Sequence, residues 1–336
     1  MFGHIEPTEK TMATLLKDQG YATYVAGKWQ FDGGDSTIHS VGFDDYCVWN
    51  AFLQDEKRRY KSPVLYENGD YIDANLVKNK YADDIFAQRI LQFINGNRDK
   101  NFFVYFPLSL SHPPFQPTPD DPEYAAFDPR TGGSDPKYFP SMIKYMDKKI
   151  GQIIDSLKAW NLYDNTIVIF TGDNGTPNDI TSLYKGSLIR GGKGTTTIYG
   201  TKVPLVVTWP GHISAKSINN NLVDFSDFLP TLADAALTTV PQDFGTTDGQ
   251  SFYNQLIKGS YTPRSWAFCH YQPHNLGQPD LISRFAQTKV YKLYDSTDYF
   301  FNIINDPLER KPLNNLTQTQ AQIKSSLRAA IETETN

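Results

Sequence analysis

Two nearly continuous apolar runs limit the folds open to this chain more than any other feature. Residues 102–106 read Phe-Phe-Val-Tyr-Phe, and residues 166–170 read Thr-Ile-Val-Ile-Phe. Runs of this length and content are typical of strands that are buried on both faces of a parallel sheet. An amphipathic pattern with helical spacing precedes each run, at residues 82–93 and 142–157. This alternation predicts an α/β fold with a mostly parallel central sheet flanked by helices.

The first residues fit the same architecture. Pro7 and Thr8 begin a short amphipathic helix that Gly20 ends, and residues 21–26 form the next strand. A chain that opens on a helix and then enters a strand is missing the strand that would pair before it. We therefore expect a further strand upstream of Met1 in a longer protein.

The pattern changes near residue 260. Short strand-like segments at 265–271, 281–286, 290–294 and 299–304 are followed by a polar helix from about residue 319. This spacing predicts a small antiparallel sheet packed with a helix. We expect two domains, an α/β domain over residues 1–260 and a small α+β subdomain over residues 261–336.

Composition excludes several classes of function. With 32 basic and 37 acidic residues the chain has a net charge of −5, so it carries no overall electrostatic footprint for nucleic acid. Cys47 and Cys269 cannot form a disulfide framework. No apolar run approaches the roughly 18–20 residues of a membrane span, and the first residues do not resemble a signal peptide. Cellular location and oligomeric state are not predicted.

Polar side chains follow the strands where ligands bind in open α/β sheets, beyond the carboxyl ends. Strand 21–26 leads to Lys28, the run from 102 leads to His112, and the run at 166–170 leads to Asp173 and Asn174. Lys193 lies in the Gly- and Thr-rich loop at 176–202, which is long enough to indicate a functional loop. We expect these five residues to converge on one face.

Each of these residues also has a simpler interpretation. Asp173 and Asn174 offer oxygen ligands suited to Ca²⁺ or Mg²⁺, but two ligands are too few, and an Asx turn explains them equally well. His112 precedes two prolines and suits either a rigid turn or a contact to an anion. Lys28 and Lys193 are solvated charges by default. Their shared location at the strand ends favours an anion site beside a metal.

Seven segments then resemble, in order and over nearly the whole chain, motifs of the sulfatases of the alkaline-phosphatase superfamily. Seven matches in the family's own order exclude coincidence. In this sequence they are GYATYVAGKW at 20–29, GFDDY at 42–46, FFVY through HPPF at 102–115, DNT through TGDNG at 164–175, GGKG with VPL and WPG at 191–211, DFLPT at 227–231, and the ending at 294–316 that contains NDPLE.

The resemblance implies hydrolysis of sulfate esters by a formylglycine nucleophile, made from the Cys or Ser of a Cys/Ser-x-Pro-x-Arg motif, beside a bound Ca²⁺ (Mg²⁺ is an alternative). It implies that Asp173 and Asn174 are metal ligands. Lys28 and Lys193 would hold the sulfate oxygens, and His112 would contact the sulfate and assist the leaving oxygen. Fixed cations and an acid suit a reaction in which negative charge develops on these oxygens.

The sequence also departs from the family pattern. It contains no Cys/Ser-x-Pro-x-Arg motif, and the family's GKWH histidine is Gln30. Residues 195–202 replace the acidic and basic residues that the family carries before its VP pair. We expect the formylglycine motif and an Asp-Asp metal pair to lie upstream of Met1. We therefore expect the 336 residues alone to bind Ca²⁺ weakly and to lack turnover.

Two alternatives stay open. One is a phosphatase or phosphodiesterase of the same superfamily, although Asn174 and the scarcity of histidine disfavour a two-metal site. The other is a non-catalytic protein that binds sulfated glycans. In either case we expect the ligand to be a sulfated or similarly anionic small molecule or glycan. Aromatic residues of the loops at 31–80, 113–140 and 270–280 are candidates for stacking on a sugar ring or for the core, namely Trp49, Tyr60, Tyr66 and Tyr271.

Overall fold

The structure is a computed structural model that describes residues 3–49, 58–272 and 282–335. Its helices, in chain order, are Met12–Asp18 (α1), Gly34–Ser40 (α2), Ala74–Val77 (α3), Ala82–Gly96 (α4), Phe139–Ala159 (α5), Ile198–Thr201 (α6), Phe228–Ala235 (α7), Tyr253–Leu256 (α8) and Gln318–Thr335 (α9). Its strands are Ala22–Lys28 (β1), Asp45–Trp49 (β2), Leu65–Glu67 (β3), Asp70–Tyr71 (β4), Phe102–Tyr105 (β5), Val168–Thr171 (β6), Thr181–Tyr184 (β7), Ser187–Arg190 (β8), Leu205–Thr208 (β9), Ala267–Tyr271 (β10), Ser283–Gln287 (β11), Tyr291–Tyr294 (β12) and Phe300–Asn302 (β13).

The chain divides into two compact units. The first comprises Met1–Thr166 and Phe228–Tyr253, and the second comprises Ile167–Asp227 and Asn254–Asn336. The domain boundary expected near residue 260 stays a prediction. No helix in the described part of the chain is both long and apolar enough to span a membrane.

The first unit is built on a five-stranded mixed sheet in the order β4-β3-β2-β1-β5. β1 runs parallel to both β2 and β5, whereas β2–β3 and β3–β4 are antiparallel. β1 lies between β2 and β5, its residues are almost all buried, and Thr23 secures it by donating from its hydroxyl to Gly42 O at 2.7 Å. α4 packs on β1, where Phe93 stacks on Tyr24 with ring centroids 4.8 Å apart.

The second unit carries the predicted C-terminal sheet. β10, β11, β12 and β13 are antiparallel neighbours in chain order, and α9 packs against the first three of them. Leu327, Ala330 and Ile331 of α9 form a core with Ala286 and Leu293. The α/β class, the helices flanking a central sheet and this C-terminal sheet with its helix are therefore confirmed.

Two strands differ from the expectation of burial on both faces. β5 ends at Tyr105, which is 44% exposed, and its other residues are only half-buried. β6 is half-buried along its length and pairs antiparallel with β9. The reason is topological: in the described residues each of these strands has one hydrogen-bonded neighbour, so an open edge remains where a second strand would cover it.

Candidate active site

Lys28 is the last residue of β1, at the carboxyl end of the parallel pairs. Its N–H donates to Pro107 O at 2.7 Å, which ties this strand end to the segment after β5. Gly27 allows this approach, because its φ is +130° and an added Cβ would lie 2.2 Å from the same oxygen. In register, Lys28 lies opposite Trp49 at the end of β2.

His112 lies in the turn that follows β5 and is half-buried. Its N–H donates to Ser109 O at 3.0 Å. The Tyr60 hydroxyl lies below the turn, 2.8 Å from Ser109 O and 2.5 Å from His112 O. Tyr60 is completely buried. The buried Tyr60 therefore stabilises the turn from the core, and its hydrogen bonds hold the backbone of His112 in place.

Arg59 contacts the imidazole directly. Its Nη1 lies 2.5 Å from His112 Nδ1 and donates to Pro113 O at 2.9 Å. The guanidinium lies over the Trp49 ring, with Cζ 4.3 Å from the centroid. Of the two ring nitrogens, Nδ1 is thus the one engaged by these contacts. Sequence reasoning missed Arg59, since one arginine beside a tyrosine carries no recognisable signal.

A buried acid lies beneath the same turn. Asp83, in the first turn of α4, is 0% exposed, and among the described residues neither carboxylate oxygen has a hydrogen bond of good geometry. Burial, and then the charge of Asp84, raise the pKa of Asp83 to about 7. The backbone of Leu110 acts in the opposite direction and lowers this pKa. This places a protonatable group directly under the segment that carries His112.

In the second unit, Asp173 and Asn174 occupy the turn after β6. Asp173 is exposed and Asn174 is half-buried, and Asn174 Nδ2 donates to Asp173 Oδ1 at 2.7 Å. Gly175 then donates to Gly200 O at 2.9 Å. An added Cβ on Gly175 would lie 1.9 Å from Tyr199 O, so only glycine fits this junction between the turn and α6.

Lys193 lies close to that turn. Its N–H donates to Thr176 O at 3.0 Å, and Gly191 N donates to Ile180 O at 2.9 Å. β7 and β8 form an antiparallel hairpin between the segment at Thr176 and the segment at Lys193. The hairpin brings the chain back to the segment at Thr176. The structure therefore brings Lys193 to the turn that contains Asp173 and Asn174.

The five predicted residues form two groups, one in each unit. Lys28 and His112 belong to the first, and are connected through Trp49 and Arg59. Asp173, Asn174 and Lys193 belong to the second. Their convergence on a single face stays a prediction. A surface groove of about 700 Å³ between α4 and α5, lined by Gln88, Gln152 and Trp160 among others, contains none of the five.

Asp173 and Asn174 offer the type of ligand that the predicted Ca²⁺ or Mg²⁺ site needs, but not the number of ligands. Asp173 and Asn174 present oxygens, the ligand that Ca²⁺ and Mg²⁺ prefer. The described residues contain no cluster of three or more His, Cys, Asp or Glu side chains that could hold an ion. The pair therefore supplies part of a coordination shell that needs six or more oxygens in the case of Ca²⁺.

Other sequence expectations have mixed outcomes. The Gln30 side chain is exposed, and the backbone carbonyl of Gln30 accepts from Gly3 N at 2.7 Å. Trp49 and Tyr60 belong to the core, being 6% and 0% exposed, so stacking on a sugar is wrong for both. Tyr66 and Tyr271 are half-buried. The loop predicted at 270–280 lies mostly outside the described residues.

The mixed sheet, with polar side chains after its strands, defines an α/β protein whose site is carried by strand-end loops. A family model described as Sulfatase matches residues 3–238, and one described as N-sulphoglucosamine sulphohydrolase, C-terminal, matches residues 198–336. The chain belongs to the sulfatase family, as its motifs predicted.

Individual relatives agree with this assignment. The chain is 30% identical over 287 residues to an arylsulfatase of Hemicentrotus pulcherrimus, covering 80% of this chain and 50% of that protein. It is 29% identical over 279 residues to human N-acetylgalactosamine-6-sulfatase, covering 78% and 51%. The chain thus spans about half the length of the curated relatives it matches.

Solved structures show the same fold. Ps i-CgsB in complex with k-i-k-neocarrahexaose has a TM-score of 0.75 at 23% identity, with 99% of this chain and 76% of that chain covered. BT4656 in complex with D-Glucosamine-2-N, 6-O-disulfate has a TM-score of 0.71 at 18% identity, with 98% and 83% covered.

Proposed function

We propose that this chain carries the anion-binding part of a sulfate-ester hydrolase site. Membership of the sulfatase family supports the reaction class. The observation that carries the proposal within this chain is the hydrogen bond from Lys193 N to Thr176 O at 3.0 Å. It holds the backbone of Lys193 beside the turn that carries Asp173 and Asn174, and the proposal is that the side chain of Lys193 there binds an anion held near a metal.

Each residue has a proposed role that follows from its chemistry. Lys28 and Lys193 bind the sulfuryl oxygens, on which negative charge increases as the sulfur–oxygen bond to the leaving group breaks. His112 donates a proton or a hydrogen bond to the leaving oxygen, which departs as an alcohol. Arg59 holds the imidazole through Nδ1 and so positions His112 for this contact.

Ca²⁺ is the proposed cofactor, with Mg²⁺ as the alternative. Asp173 and Asn174 would hold the ion, which would supply a positive charge that polarises the sulfate oxygens. Since these two residues fill only part of the shell, we propose that the 336 residues alone bind Ca²⁺ weakly.

The same chain is proposed to turn over sulfate esters poorly, if at all. The sequence has no Cys/Ser-x-Pro-x-Arg motif from which the family makes its formylglycine nucleophile. Holding an ester against fixed cations lowers the barrier only if a nucleophile is also positioned. Binding of a sulfated ligand without turnover is therefore the expected property.

The proposed ligand class is a sulfated glycan or a smaller sulfated molecule. One similar structure contains k-i-k-neocarrahexaose, and another contains D-Glucosamine-2-N, 6-O-disulfate. In this chain, Tyr271 is half-buried, and its hydroxyl donates to Gly194 O at 2.9 Å, next to Lys193. We propose that its ring supports a sugar beside the proposed anion site.

Sulfate binding and aryl sulfate turnover test the proposal. Calorimetry with inorganic sulfate should show binding that weakens about tenfold, or about 1.4 kcal/mol, in Lys193→Met. Lys185→Met, at the tip of the β7–β8 hairpin in the same unit, is the matched control and should not change the affinity. Equal affinity in Lys193→Met would contradict the anion-site assignment. Robust aryl sulfate turnover by the unmodified chain would contradict the proposed impairment.

A further inference from the structure

A lysine in the C-terminal sheet of the second unit has no exposure to solvent. Lys292 of β12 and Glu309 form an ion pair at 2.8 Å, with side chains 0% and 4% exposed. Lys292 Nζ also donates to Thr196 O at 2.6 Å and lies 4.3 Å from the centroid of the Phe285 ring. A buried ammonium group is tolerated only when charge and hydrogen bonds compensate its lost hydration. Thr196 O supplies part of that compensation.

The second oxygen of Glu309 extends the contact. The Tyr294 hydroxyl donates to Glu309 Oε2 at 2.5 Å and lies 2.8 Å from Thr196 Oγ1. Thr196 is therefore contacted through both its backbone and its side chain. We call Lys292, Tyr294 and Glu309 the Thr196 clamp. Tyr271 adds a contact from β10 to the neighbouring Gly194.

The segment that the clamp contacts is tied at its start to a preceding segment, because Gly191 N donates to Ile180 O at 2.9 Å and Lys193 N donates to Thr176 O at 3.0 Å. Residues 191–197, here called the Lys193 loop, include Gly191, Gly192 and Gly194. Glycine leaves the backbone more conformational freedom than any other residue. Within the loop, Thr195 N donates to Gly192 O at 2.9 Å, and the Thr195 and Thr197 hydroxyls lie 2.8 Å apart. These local contacts shape a turn but do not secure the loop to the sheet.

We propose that the Thr196 clamp positions the Lys193 loop, so that the C-terminal sheet determines where Lys193 presents its ammonium group. Lys292, Tyr294 and Glu309 are thus positioning residues, since none of them needs to touch the ligand. The relevance to anion binding rests on the proposed function of Lys193. The structural part of the inference, that the clamp orders the loop, does not depend on the proposed function of Lys193.

Two variants each remove one of the two contacts to Thr196 without leaving a charge buried alone. Tyr294→Phe deletes only the hydroxyl. The double variant Lys292→Met with Glu309→Met removes both charges together, a change that buried ion pairs often tolerate. Tyr299→Phe and Asp298→Asn are the matched controls, because Tyr299 is 53% exposed and Asp298 pairs with Lys324 and Arg328, away from the loop.

Hydrogen exchange measured by mass spectrometry on the full chain reports the order of the loop. Amides of residues 194–197 should exchange at least about tenfold faster in both clamp variants, since opening this part of the loop loses a contact to Thr196. Amides of β11 and β12 should keep their protection, and the two controls should match the unmodified chain. If the amides of β11 and β12 also lose protection in the double variant, the test of the inference rests on the exchange of the loop amides in Tyr294→Phe.

Unchanged exchange of the loop in Tyr294→Phe and in the double variant, wherever the sheet stays intact, would overturn the inference. Loop amides that already exchange freely in the unmodified chain would overturn it as well, because nothing would then be held. Calorimetry with inorganic sulfate separates the two levels. If the clamp variants free the loop but neither they nor Lys193→Met weaken sulfate binding, the proposed role of Lys193 fails while the clamp stands.

Discussion

Replacing Asp83 by asparagine should change how the stability of the protein depends on pH. The carboxyl is fully buried, and its pKa is raised from 3.8 to about 7. The unfolded chain releases this proton near pH 4, whereas the folded chain keeps it until about pH 7. Between these values the folded state binds more protons, so the free energy of unfolding falls as the pH rises.

The size of the effect follows from the shift. About three pKa units at 1.4 kcal/mol each correspond to about 4 kcal/mol lost between pH 4 and pH 7. Above pH 7 both states are ionised at this residue and the loss is complete. Asparagine cannot ionise, so Asp83→Asn should match the unmodified chain near pH 4 and exceed its stability by up to about 4 kcal/mol at pH 8.

The groups around Asp83 define what else titrates there. Asp84 follows it in α4 and pairs with Lys149 of α5 at 2.5 Å, while the buried Tyr60 and Tyr81 rings lie close by. Burial raises the pKa of both phenols above their usual range, so neither titrates between pH 4 and 8. Of Asp83 and these two phenols, Asp83 is therefore the group that titrates in this window.

Urea denaturation followed by far-ultraviolet circular dichroism at several values between pH 4.5 and 8 measures the difference. Asp18→Asn, on the exposed end of α1, is the matched control for the loss of an exposed carboxylate. Parallel curves for Asp83→Asn and the unmodified chain would refute the reasoning, since they would mean that Asp83 releases its proton at the same pH in both states.

Three further outcomes can be measured on the same protein. Gly27→Ala should destabilise it by about 3 kcal/mol in urea denaturation, because the added Cβ meets Pro107 O, whereas Gly151→Ala in open space within α5 should be neutral or stabilising. Asp227→Asn should cost about 3–5 kcal/mol in the same assay, because it removes the carboxylate charge that faces the buried Arg264 guanidinium; Asp298→Asn should cost far less. Cys47 should stay unlabelled by a thiol reagent until the protein is denatured, because burial raises its pKa and shields the sulfur; prompt native labelling of Cys47 would show that β2 opens.

Sequence reasoning recovered the elements whose pattern is strong over a long stretch. α4 and α5 were predicted from apolar residues at helical spacing, and β10 to β13 from short alternating segments between turns. The elements missed at residues 31–80 are two to seven residues long. They depend on distant partners, as when Asn68 Oδ1 accepts from Tyr46 N at 2.8 Å, and no local pattern records such contacts.

In the candidate site, too, the sequence indicated some residues and missed others. Motifs indicated Lys28, His112, Asp173, Asn174 and Lys193, because each directly follows a strand or lies in a glycine-rich loop. The residues that support them were not found. Arg59 acts on His112 across 53 positions of sequence, and Lys292 acts on Thr196 across 96. A supporting side chain is identified by its partner, and the partner is known only when the chain is folded.

The junction at Gly175 limits how this region can change by mutation. Because the space for a side chain there is filled by Tyr199 O, 1.9 Å from the Cβ site, a randomised library at Gly175 should return glycine alone. The hairpin between β7 and β8 has the opposite character, with Leu183 and Leu188 72% and 76% exposed. Substitutions are therefore tolerated on the exposed face of the hairpin, whereas the position directly after Asp173 and Asn174 stays closed to variation.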